Sequence, residues 1–85
     1  MSAAETVLRL IKSRFPGRDI LIEQVYRHDL PFRSLCKDYR DCLGALGRLE
    51  KEESVRAIAR REEYAELLED LSCEIRDWLD THDED

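Results

Sequence analysis

The stretch Asp29-Leu30-Pro31-Phe32-Arg33-Ser34-Leu35-Cys36-Lys37-Asp38-Tyr39-Arg40-Asp41-Cys42-Leu43-Gly44-Ala45-Leu46-Gly47-Arg48-Leu49 decides the fold. Phe32, Leu35, Tyr39, Cys42, Leu46 and Leu49 recur at alternating steps of three and four. That spacing draws one apolar seam along an α-helix packed nearly parallel or antiparallel to another helix. Arg33, Lys37, Asp38, Arg40, Asp41 and Arg48 fall off the seam and read as its solvated side. Asp29 is placed to cap the helix, and Pro31 falls in the first turn, where a missing N–H does no harm. Gly44 and Gly47 interrupt the run, each costing about 1 kcal/mol relative to Ala in a helix interior. Two explanations stand: tolerance within a well-packed helix, or close approach of a second helix.

Downstream, Tyr64, Leu68, Leu71, Ile75 and Trp78 repeat the seam at steps of four and three. The link from Glu50 to Ser54 holds no Gly or Pro, so it is either a polar turn or a continuation of helix. A single helix of about 50 residues would far exceed the usual length, and Ser54 can cap a new helix, so a turn is preferred. Upstream, Ser2 with Glu5 three residues on has the capping-box spacing for a helix over 3–14. Lys12 and Arg14 suit that helix's negative end. Phe15-Pro16-Gly17 stops it. Asp19 is the expected N-cap of a short helix to His28 that presents Leu21, Ile22, Val25 and Tyr26 on one face. No segment alternates apolar and polar residues as a strand would. The expectation is an all-α chain: a long antiparallel helical hairpin (about 30–50 and 54–80) with two short N-terminal helices (about 3–14 and 19–28). Residues 1–80 form one domain, and residues 81–85 form an acidic tail that frays. The seams need cover on their free side, supplied either by the two N-terminal helices or by a second copy of the hairpin.

The chain has 85 residues, 42% hydrophobic and 40% charged. That is too short for a Rossmann domain, a barrel or a two-domain cleft. The longest run of large aliphatic residues is Ile20-Leu21-Ile22, far from the roughly 20 residues that span a bilayer. No membrane association is expected. No basic N-terminal region leads into an apolar stretch, so the chain reads as cytoplasmic. Cys36, Cys42 and Cys73 are odd in number and fit no zinc spacing, and they read first as small apolar residues in a reducing compartment.

The net charge of −6 is unevenly placed. Residues 1–51 carry ten bases and seven acids, whereas residues 52–85 carry four bases and thirteen acids. Within the last helix the bases come early, at Arg56, Arg60 and Arg61. Arg9, Lys12, Arg14 and Arg18 form a second modest basic group. Neither group is the stripe that neutralises many phosphates, so nucleic acid is not an expected partner. The helix over 19–28 would also be a poor groove reader, with Asp19 and Glu23 on it.

Phosphate loops, HExxH, a nucleophile elbow and EF-hand loops are all missing. No enzyme activity, catalytic residue, cofactor or metal is therefore expected. Glu62, Glu63 and Glu66 resemble carboxylate ligands but lack the partner ExxH, and His28 and His82 have no Glu three residues before them. A thiol or metal sensor using Cys36 and Cys42 is an alternative, weakened because the two lie about 240° apart around an ideal helix. A nucleic-acid-linked regulator working through Arg9 to Arg18 and Arg56 to Arg61 is another.

The leading expectation is a non-catalytic protein–protein interaction or assembly module whose partner is another protein or a second copy, as a homodimer. Its candidate interaction seam is Tyr39, Leu43, Leu46, Tyr64, Leu68, Leu71, Ile75 and Trp78. The motif Phe32-Arg33-x-Leu35-Cys36-x-Asp38-Tyr39 through Cys42, followed by Glu62-Glu63-Tyr64 and the run to Trp78-Leu79, resembles a family of small, uncharacterised bacterial helical proteins. The resemblance covers the last two thirds of the chain. It implies a helical hairpin from a bacterium and brings no activity, cofactor or catalytic residue.

Overall fold

The computed structural model describes residues 2–83. It contains four helices: α1 (Ala3–Arg14), α2 (Asp19–His28), α3 (Leu30–Leu49) and α4 (Val55–Asp83). The described residues form no strand, and the fold is all-α.

Local chemistry sets most of the boundaries. The Ser2 hydroxyl accepts from the Glu5 amide at 3.2 Å and starts α1. Gly17 takes φ 85° in the break before α2, a backbone conformation that L side chains rarely adopt. The Asp29 carboxylate accepts from the Phe32 amide at 3.0 Å and starts α3. The Ser54 hydroxyl accepts from the Ala57 amide at 3.1 Å and starts α4. Between α3 and α4 the chain turns through amides of Lys51 and Glu52 that donate to the carbonyls of Arg48 and Leu49. The polar link is thus a turn, and α3 and α4 pack along each other as a hairpin.

Two expectations need correction. Asp19 is the first residue of α2 rather than its cap. Arg18 holds the cap position, and no side chain caps that end. The helix expected to stop at Asp80 runs on to Asp83. Thr81 and His82 therefore belong to it, while the rest of the expected tail, Glu84 and Asp85, lies outside the described residues. The extension is held from its own preceding turn and from outside. The Thr81 hydroxyl donates to the Asp77 carbonyl at 2.9 Å, and His82 Nδ1 lies 2.8 Å from the Trp78 carbonyl. Arg18 pairs with Asp80 at 2.6 Å and stands 3.9 Å from Asp83. Of the two explanations for Gly44 and Gly47, tolerance within the helix is the one that holds, since no second helix approaches them. A Cβ at Gly47 would meet nothing within 4 Å, and one at Gly44 would meet only the Arg48 side chain at 3.7 Å.

The core sits at one end of the hairpin. There α1 packs on α2 and α3, while α2 packs on both α3 and α4. Val7, Ile11, Phe15, Ile22, Phe32, Cys36, Ile75 and Leu79 are buried in one cluster. Arg33 closes the C-terminal end of α2, donating to the carbonyls of Tyr26 and Arg27 and stacking 5.3 Å from the Tyr26 ring centroid. We call this end the base and the α3–α4 turn the tip. The molecule is elongated, 47 × 28 × 22 Å.

Candidate functional site

The seam that the sequence marks for interaction is largely spent inside the chain. Tyr39, Leu71 and Ile75 are buried, and Leu43, Tyr64, Leu68 and Trp78 pack half-buried against the core. Leu46 is half-buried near the tip. All eight residues are at least half-buried, and Tyr64 and Trp78 also line surface grooves. The seams face each other, and α1 and α2 cover them at the base.

Which side of the hairpin α1 and α2 occupy follows from contacts with α4. The Arg76 guanidinium lies 6.0 Å from the centroid of the Phe15 ring, and Arg18 pairs with Asp80 and Asp83. Arg76, Asp80 and Asp83 lie within about 60° of one another on one flank of α4. The opposite flank carries Arg56, Arg60, Leu67 and Glu74, which fall within about 40° of one another. Leu67 there remains 45% exposed.

Along that bare flank, concavities follow one another between α3 and α4. At the tip, a groove of about 340 Å³ is lined by Arg48, Arg56, Arg60, Leu49 and Tyr64, with Glu52 as its single acid. In the middle, a groove of about 430 Å³ runs past Ala45 and Leu67, with Asp38 and Asp41 on its α3 side. At the base, a groove of about 480 Å³ is lined by Trp78, Glu74, Asp77, Asp29 and His82. The face thus passes from guanidiniums at the tip, through an exposed leucine with two aspartates across from it on α3, to carboxylates around an indole. Among the described residues, the side chains of Arg48, Arg56, Arg60 and Glu74 enter no hydrogen bond or ion pair.

The N-terminal basic group differs. Lys12 pairs with Glu23 at 2.7 Å and Arg18 with Asp80. Those cations already have carboxylate partners. The Lys12 ammonium, by hydrogen bond and then by charge, holds the Glu23 carboxyl below its ordinary range.

At the base, Asp29 joins both ends of the hairpin. One of its oxygens caps α3, and the other accepts from the Trp78 indole N–H at 3.1 Å. The same oxygen stands 3.8 Å from His82 Nε2. His82 Nδ1 faces a carbonyl, which only accepts, so this nitrogen carries the proton in that contact. The Trp78 ring tilts against Phe32, with centroids 6.2 Å apart.

The cysteines are free. Burial pushes the Cys36 thiol up to about 12, and it also raises Cys42, whose thiol donates to the Tyr64 carbonyl at 3.3 Å. Both are protonated at neutral pH, and the thiolate is the reactive form. Cys73 is exposed. Among the described residues, no three of His, Cys, Asp and Glu are grouped to hold a metal ion, and no helix is long and apolar enough to cross a membrane.

The order of residues shows that the bases of α4 come early, at Arg56, Arg60 and Arg61, but does not place them on a flank. Measuring Leu67 against the seam by helical angle would have found the face. No protein-family model, no curated protein and no solved structure matches the chain.

Proposed function

We infer that this protein is a non-catalytic protein–protein interaction module of the bacterial cytosol. Its docking surface is the bare α3–α4 face rather than the apolar seams. One observation carries the reading. The two N-terminal helices clad one side of the hairpin, while the other side presents unpaired charge of both signs about an exposed leucine. Interfaces commonly combine an apolar centre with a polar, charged rim that sets register. The odd, unpaired cysteines accord with a reducing compartment.

Site-specific photo-crosslinking tests this. A benzophenone side chain at position 67, in cells that naturally make the protein, is expected to yield a protein adduct of discrete mass. The same probe at Ala59, on the outer side of α4, is expected to yield none. If position 67 gives no protein adduct, the face is not a docking surface.

A further inference from the structure

The charge along the bare flank of α4 is arranged so that the flank complements itself. Arg60 stands seven residues before Leu67 and Glu74 seven residues after it. Both intervals are close to two helical turns, about 10 Å along the axis, and all three residues share one flank. Arg56 and Trp78 are likewise eleven residues to either side of Leu67, at about the same mean direction. Turned end for end about an axis through Leu67, this flank of α4 presents Glu74 where Arg60 was.

We propose that the partner on this face is a second copy of the chain, docked antiparallel with a two-fold axis at Leu67. The proposal rests on the reading of this face as a docking surface and names its occupant. In the dimer, Leu67 packs on Leu67 of the second copy, and Arg60 meets Glu74 of the second copy. Arg56 reaches the edge of the groove that holds Trp78, where an indole face and the Asp77 carboxylate both suit a guanidinium.

The pairing follows from closed symmetry. An isologous contact repeats each pair twice, so one favourable Arg–Glu juxtaposition becomes two. It also gives Arg60 a carboxylate partner that its own chain does not supply. Glu63 and Asp70 lie further round α4, about 40° to 60° from Leu67, and stay at the solvated rim of the contact.

Sedimentation of the full chain over a concentration series, with charge reversals, tests the proposal. The native chain is expected to show a monomer–dimer equilibrium that weakens as salt rises, because exposed charge pairs are screened. Arg60→Glu alone and Glu74→Arg alone are each expected to weaken the dimer about tenfold or more, since each reversal sets like charges together twice. The double variant Arg60→Glu/Glu74→Arg restores association, because the swap rebuilds both pairs with inverted sign. Both residues are exposed, and an unchanged helical circular dichroism spectrum confirms that each variant folds. A chain that stays monomeric up to about 1 mM overturns the proposal. So does a dimer indifferent to either reversal, or one that the double swap fails to restore. A photo-adduct at position 67 with a different protein, combined with a monomeric chain, overturns the second copy as occupant while leaving the docking face standing.

Discussion

At the base of the hairpin, Phe32, Cys36 and Ile75 are wholly enclosed, whereas at the tip Leu46 and Leu49 lie on the same α3 seam and stay half-buried. The residue types and the spacing are alike at the two ends. The difference lies in the neighbours: four helices meet at the base, and only two run on to the tip. A seam residue in a two-helix hairpin touches one partner helix and keeps a side toward water. The tip therefore cannot draw its order from a deep core. It relies on the turn, the Ser54 cap and the helical continuity of α3 and α4.

This contrast can be broken by substitution. Phe32→Ala at the base is expected to cost about 3–5 kcal/mol of unfolding free energy, read by urea denaturation, because it leaves a cavity closed on all sides. A loss below about 1 kcal/mol would mean that the base is not a packed core. Asp29→Ala removes a helix cap and the indole's acceptor together, for an expected loss of about 1–2 kcal/mol. Trp78 is the single tryptophan of the chain, so its emission reports the same change as a shift to longer wavelength. Leu46→Ala at the tip is expected to cost only about 1 kcal/mol, since half-burial leaves less apolar area to lose. Equal losses for Phe32→Ala and Leu46→Ala would erase the distinction between the ends.

The next two effects are smaller. Gly47→Ala is expected to stabilise by about 0.5–1 kcal/mol, because the position is helical and a methyl group there meets open space. A destabilised variant would show a close approach that the structure lacks. The Lys12–Glu23 pair should leave a faint acid dependence. The Glu23 carboxyl is held below its unfolded value, so its contribution is complete above the unfolded titration. That contribution is lost as pH falls through the folded one. Glu23→Gln should flatten the stability profile in that window, with only a small change because the pair is open to solvent.

Local features were legible in the sequence. Ser2, Asp29 and Ser54 cap where their side chains and spacing indicate, and the Phe15-Pro16-Gly17 break falls between α1 and α2. These depend on groups within four residues of one another. Features that join distant residues were not legible. The extra turn of α4 is held partly by Arg18, some sixty residues upstream, and the same arginine holds the cap position expected of Asp19. The seams were visible, yet periodicity alone does not show which side α1 and α2 will cover. That choice decides which flank of α4, that of Leu67 or that of Arg76, is left bare, and hence where the candidate site lies.

Asp29 and Trp78 are separated by 49 positions, yet one hydrogen bond joins the first turn of α3 to the closing turns of α4. The intervening turn at 50–54 is short, so the hairpin can zip from tip to base with little loop-closure entropy at each step. On that route the carboxylate–indole contact closes at the end, after the rate-limiting barrier. Removing it should then speed unfolding while leaving the folding rate almost unchanged. A slowed refolding limb for Asp29→Ala would reverse that order. The same contact gives the protein's lifetime in the folded state a latch at the end of the hairpin farthest from its turn.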